Sequence, residues 1–172
     1  MRLGKYYRLS IYILVATITV SMTIVSIAAE NNPCNGQNTS VVINTDSRKM
    51  YLCKNNKLHQ EFKIAIGKKG TGKQKEGDKK TPLGEYSLGN PRDSSRFGTF
   101  IPVGYPTPEQ KKQEFSGSDV GIHGPFRLFK WFGSINTWMN WTQGCVAVGS
   151  DAEISSIAQW VKDNKINRVV IR

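Results

Sequence analysis

The chain has 172 residues and a formal net charge of +11, from 24 Lys and Arg against 13 Asp and Glu. That length leaves room for one compact domain with an N-terminal appendage, and the sequence shows no internal repeats and no sign of a second folded domain. The positive balance favours anionic partners, whether nucleic acid, an acidic membrane surface or an acidic cell wall, and charge alone does not choose among them.

The first 29 residues read as an export signal. Arg2, Lys5 and Arg8 precede an uncharged run from Leu9 to Ala29 that ends in Ser26-Ile27-Ala28-Ala29. The run just reaches bilayer length, about 20 residues. Its many Ser and Thr residues make it a mediocre permanent span. Cleavage near Ala28 or Ala29, before Asn32, is the expectation, with an uncleaved anchor as the alternative. In either case the positive flank directs the rest of the chain outward, to the periplasm or cell envelope. Loss of the three cations lowers the charge from +11 to +8. Cys34 follows Asn-Asn-Pro, not the small-residue box of a lipoprotein. Residues 30–39 read as a linker and 40–172 as the folded domain.

Export exposes the three cysteines to oxidising conditions. Cys34 precedes the first predicted strand and Cys53 lies near the end of the second. A Cys34–Cys53 bridge would leave Cys145 as the odd free thiol; three reduced, unrelated cysteines are the alternative. No two of Cys34, Cys53, Cys145, His59 and His123 stand at ligand-like spacing, so neither a metal nor another cofactor is called for.

Val41-Val42-Ile43 and Lys49–Cys53 predict short strands around a turn at Thr45–Arg48. Leu58, Phe62, Ile64 and Ile66 then alternate with polar or small residues as a half-buried strand, with His59 on its exposed face. Gly67-x4-Gly72-Lys73 imitates a phosphate-binding loop. Gln74 stands where a metal-binding hydroxyl is needed, and Gly77 and Pro82 leave no helix to receive phosphate. Residues 67–82 therefore read as a solvated basic loop. In Thr81-Pro82-Leu83-Gly84-Glu85-Tyr86, Pro82 fixes a turn and Gly84 relieves crowding where a strand begins. Arg96–Val103 reads as another strand. Thr107-Pro108 opens a short polar helix to about Phe115. Ser150-x-x-Glu153 is a capping box heading a helix with Ile154, Ile157, Ala158 and Val161 on one face, ending near Asn164. Val169–Ile171 closes the domain as a strand.

Between these elements lie the residues that carry chemistry. His123 ends the apolar run Val120-Gly121-Ile122, and Cys145 sits in Thr142-Gln143-Gly144-Cys145-Val146-Ala147-Val148. A thiol attacks as thiolate, and an imidazole can take its proton and stabilise the charge. On that view the Cys145 thiolate persists below a free cysteine's pKa of about 8.5. Gly144 lets a carbonyl approach the backbone, where the amides of Gly144 and Cys145 would receive an oxyanion. The plain alternative is a small buried cysteine and a satisfied core histidine. Phe126, Phe129, Trp131, Phe132, Trp138 and Trp141 form either a lid that keeps water from an intermediate, or ordinary core, or a membrane-touching patch.

These motifs resemble the L,D-transpeptidase (YkuD) catalytic domain. The family's I-H-G is met by Ile122-His123-Gly124, its T-P-x-G-x-[FY] by Thr81–Tyr86, and the W-T-x-G-C-I-A-V segment of one branch by Trp141–Val148, followed by the acidic helix start Ser150–Glu153. Gln143 and Ala147 replace the second histidine and the arginine of the better-known S-H-G-C-x-R form, so contacts made by those two side chains are not inherited. The resemblance spans about Val41 to Ile171. It implies a mostly-β sandwich with one or two short helices, and work in cell-wall biogenesis and cell shape. The implied reaction is acyl transfer on peptidoglycan: Cys145 attacks a tetrapeptide stem at the L-centre of its diamino acid, expels D-alanine, and the thioester passes to an amine. His123 is the implied base, and a backbone carbonyl, invisible in sequence, orients it. Trp141, Thr142, Gln143 and Arg127, with Lys130, are candidate substrate contacts. The implied partners are stem peptides and the anionic wall, not nucleic acid, with the membrane touched only through an uncleaved N-terminus. A hydrolase on the same scaffold and a non-catalytic wall-binding module are the competing readings. A papain-like peptidase has its cysteine before its histidine, the reverse of the order here.

Overall fold

Nine strands and two helices follow one another in the computed structural model, which describes residues 32–127 and 136–172; the segment read as an export signal lies outside them. The strands are β1 (Ser40–Asn44), β2 (Lys49–Lys54), β3 (Lys57–Ala65), β4 (Gly84–Ser87), β5 (Arg92–Ser94), β6 (Gly98–Pro102), β7 (Gly121–His123), β8 (Val146–Val148) and β9 (Arg168–Ile171). Helix α1 is Pro108–Lys112 and helix α2 is Asp151–Asp163. All strands join one sheet in the order β4-β9-β1-β2-β3-β8-β7-β6-β5. The fold is mostly β.

The long strand β3 links the halves of this sheet. Its stretch from Lys57 to Lys63 pairs with β2, while Ile64 and Ala65 pair with Val148 and Ala147 of β8. The sheet curls about a single apolar core that draws Val41, Met50 and Val169 from one half, Ile101, Ile122 and Val146 from the other, and Ile154, Ile157 and Val161 from α2. Each such side chain removed from water contributes about 2 kcal/mol. Helix α2 starts at Ser150, whose hydroxyl accepts from the Glu153 amide while the Glu153 carboxylate accepts from the Ser150 amide, and it ends at Asn164. A smaller cluster of Cys34, Val42, Tyr51 and Cys53 lies apart from this core.

Several local expectations need correction. Leu58 is 45% exposed. A register shift between Leu52 and Cys53 reverses the alternation, so Leu58 stands opposite Cys53 while Phe62 stands opposite Met50. A one-residue bulge flips every side chain beyond it to the other face. The exposure expected of His59 is found, with its ring stacked 6.1 Å from Trp160. Helix α1 has the Thr107 cap and Pro108 start, reinforced by Gln110, but stops at Lys112 rather than near Phe115. Strand β5, Arg-Asp-Ser, carries no apolar residue and so gave no periodic signal.

The segment read as a linker is tied down from Cys34 onward. Cys34 is buried and disulfide-bonded to Cys53, with an S–S distance of 1.96 Å, and Asn38 donates its amide to Asn56 Oδ1. Cys145 is the free cysteine. The loop at 67–82 is likewise not simply solvated, because Lys73 within it is only 5% exposed.

Candidate active site

Strands β7 and β8 run parallel, with Ile122 opposite Val146 and His123 opposite Ala147. Residues two apart on a strand share a face, so Cys145, just ahead of β8, presents its side chain on the same face as His123. Both line one cleft of ≈ 700 Å³. A parallel pair thus brings together two residues that are 22 positions apart in the chain.

His123 is 1% exposed. Its Nδ1 lies 2.7 Å from the Gly124 carbonyl oxygen, which only accepts, so Nδ1 carries the proton and Nε2 is left as the basic nitrogen. Phe97 stacks on the ring at 3.7 Å between centroids, 18° from parallel, and Trp141 meets it edge-on at 5.8 Å. Burial among these rings pulls the His123 pKa down to about 4, only partly opposed by the Gly124 bond. The imidazole is neutral at physiological pH.

Cys145 is half-buried, and its Sγ–H donates to the Asp119 carbonyl at 3.3 Å. Burial pushes this thiol up to about 11; the Gly121 amide and the Lys73 charge work against that rise, and the Asp119 charge adds to it. This corrects the expectation of a persistent thiolate. A neutral imidazole offers no resident positive charge to hold the anion, so the resting pair is thiol and imidazole, both uncharged.

The turn ahead of Cys145 is built on Thr142, which is buried and accepts the Gly144 amide at 3.1 Å while donating to the Cys145 carbonyl at 2.7 Å. Thr81 donates to the same carbonyl at 3.4 Å and accepts from the Gly67 amide, so the Thr-Pro element braces the nucleophile's turn. Gly144 has φ +131°, and a Cβ there would lie 2.7 Å from the Lys80 carbonyl oxygen. Only glycine fits. Because the Gly144 amide is engaged by Thr142, the two amides expected to receive an oxyanion are not equivalent: that of Cys145 has no acceptor among the described residues.

Trp141, Thr142 and Gln143 all line the cleft, Gln143 as an exposed side chain. Arg127 does not line it; its amide donates to the Arg96 carbonyl on the neighbouring hairpin, and Arg92 and Arg96 are the arginines at the cleft instead. Of the aromatic segment, Phe126 lies at the cleft and Trp138 is 69% exposed. Phe129, Lys130, Trp131 and Phe132 lie outside the described residues. Sequence reasoning missed Phe97 and Lys73, since neither stands in a motif with His123 or Cys145. Among the described residues, no three of His, Cys, Asp and Glu cluster as metal ligands.

The depressed His123 pKa has a consequence for stability. Between its unfolded value of 6.5 and its folded value of about 4, the unfolded chain binds a proton that the folded chain refuses. This contribution is fully present above pH 6.5 and is lost as pH falls toward 4, amounting to about 3 kcal/mol. Urea unfolding at pH 7.5 and 4.5 should show a wild-type decline that exceeds the decline in His123→Gln by this order. Equal declines would place the imidazole in water.

The family model described as the L,D-transpeptidase catalytic domain, YkuD, matches residues 38–171. Among solved structures, the helical cell shape determining protein Pgp2 from Campylobacter jejuni is similar at 27% identity and a TM-score of 0.61, covering 77% of this chain and 46% of that one. Bd1075 from Bdellovibrio bacteriovorus shares the fold at 22% identity and a TM-score of 0.54, over 77% of this chain and 47% of its own. The chain therefore spans less than half the length of either structure. Among curated protein sequences there is no significant match.

Proposed function

The chain belongs to the YkuD family of L,D-transpeptidase catalytic domains, and from that premise we propose that it is an exported peptidoglycan L,D-transpeptidase with Cys145 as nucleophile and His123 as base. The observation that carries this reading is the pairing of β7 with β8. It puts a thiol and an imidazole with a bare Nε2 on one face of one cleft. Histidine held in that tautomer by a carbonyl is a general base for a proton arriving at Nε2.

In the proposed cycle Nε2 takes the proton from Sγ as sulfur attacks the carbonyl carbon of the stem's diamino acid. The tetrahedral oxyanion is met by the Cys145 amide. Collapse breaks the bond to D-alanine, whose amine leaves with the proton from the imidazolium, and a thioester remains on Cys145. An acceptor amine then attacks the thioester, gives its proton to Nε2, and the thiol is restored. The rings of Phe97, Phe126 and Trp141 along the cleft shield the thioester from water. The chain's positive charge suits an anionic wall as its working surface. The likeness to a protein that determines helical cell shape fits a role in wall architecture.

Purified protein incubated with tetrapeptide muropeptides and followed by mass spectrometry tests this. D-alanine release together with cross-linked dimers is the expected result. Tripeptide product without dimers would replace transfer by hydrolysis. An unchanged muropeptide with folded protein would leave a wall-binding module.

A further inference from the structure

The basic loop at 67–82 buries a cation that the acyl-transfer chemistry described so far does not use. Lysine is seldom buried unless it is paired. Lys73 is, and its Nζ donates to Asp78 Oδ1 at 3.0 Å and to the Lys75 carbonyl at 3.0 Å, lying 5.8 Å from the centroid of the Tyr105 ring. Asp78 is itself immobilised. Its Oδ2 accepts the amides of Gln74 and Lys75, and its Oδ1 that of Lys80. The backbone amides, helped by Lys73, hold its carboxyl ionised far below the usual carboxylate range against the opposing effect of burial.

This clamp stands against the nucleophile's turn. Lys73 lines the same cleft as Cys145 and His123, and its Cδ is 3.7 Å from the point a Cβ on Gly144 would occupy. The ionisable groups around the cleft are Lys73, Glu76, Arg92, Arg96, Asp119, His123 and Cys145. His123 is neutral, and Arg92 lies 4.0 Å from Asp119 at the exposed rim. Asp119 opposes ionisation of the thiol and Lys73 favours it.

We infer that Lys73 is a positioning residue for Cys145: its buried ammonium, fixed in place by Asp78, favours formation of the thiolate when the proton moves from Sγ to Nε2. The inference rests on Cys145 being the nucleophile proposed above. A buried ion pair does little for stability compared with well-packed apolar side chains, so a lysine here is better explained by its charge than by its packing.

The test is the rate of Cys145 alkylation by iodoacetamide at pH 8–10, below the thiol's value of about 11, where the rate follows the thiolate fraction. Lys73→Met removes the charge at similar length. Each tenfold loss of thiolate is partly offset by a more nucleophilic sulfur, so a net slowing of about threefold is expected. Lys73→Arg keeps the charge and should alkylate at the wild-type rate. Asp78→Asn removes the compensating anion and should speed alkylation. A purely structural clamp would move Lys73→Met and Asp78→Asn in the same direction, which would overturn the inference. So would a wild-type rate in folded Lys73→Met, or equal slowing in Lys73→Met and Lys73→Arg, with fold checked by near-UV circular dichroism. Alkylation needs no stem peptide, so these rates stand apart from the transferase reading, whose own failure would appear as no D-alanine release by wild type.

Discussion

Cys145→Ala should form no covalent adduct with a carbapenem and release no D-alanine from a tetrapeptide stem, while remaining folded. A carbapenem presents a strained carbonyl that a nucleophilic thiol opens, so wild type should gain the mass of one drug molecule. The expected loss in turnover is at least about 10⁴-fold, because no other side chain can take over a covalent step once the sulfur is gone. The fold should persist: Cys145 precedes β8, and its carbonyl, held by Thr142 and Thr81, belongs to the backbone and survives the change. Intact-mass spectrometry and D-alanine assay of both proteins decide the matter. Release of D-alanine by folded Cys145→Ala at the wild-type rate would make the residue structural.

His123→Ala should slow carbapenem acylation at neutral pH by about 10²- to 10⁴-fold, the usual contribution of a positioned base. The pH dependence carries more information than the rate. In wild type, burial holds the imidazole at about 4 and the thiol at about 11, so the uncharged pair prevails between these values. Acylation should therefore be level from about pH 5 through neutrality and fall only in stronger acid, as His123 takes up its proton. Without the base, reaction must wait for free thiolate, and the variant's rate should climb about tenfold per pH unit from neutrality toward the thiol's own value. The carbapenem is the suitable probe because no acceptor amine ionises in the same range. A wild-type acid limb centred near pH 6.5, or a level profile in His123→Ala, would mean that imidazole and thiol are not arranged as described.

Much of this protein was legible in one dimension. Periodicity located β1, β2, β6 and β9, and capping chemistry fixed both helix starts, because such signals depend on residues within one turn or one strand. The Ile-His-Gly and Gly-Cys segments singled out His123 and Cys145; the Thr-Pro-x-Gly element was read for its Pro82 turn and Gly84, while the hold of the Thr81 hydroxyl on the Cys145 carbonyl emerges only in the fold.

Tertiary structure alone decided the electrostatics. A pKa depends on which groups surround an atom in space, and the sequence places Phe97 and Lys73 26 and 72 residues from His123 and Cys145 respectively. The β5–β6 hairpin brings Phe97 onto the imidazole, and burial in the folded site turns an expected thiolate into a neutral thiol beside a neutral imidazole, while Lys73 from the loop at 67–82 works against the rise of the thiol. The same holds for the exposed Leu58, whose side was set by a register shift against β2. Composition and spacing point to most of the strands, though not β5, and to the side chains that are chemically able. Burial and charge at the site are sums over neighbours that only the folded chain brings together.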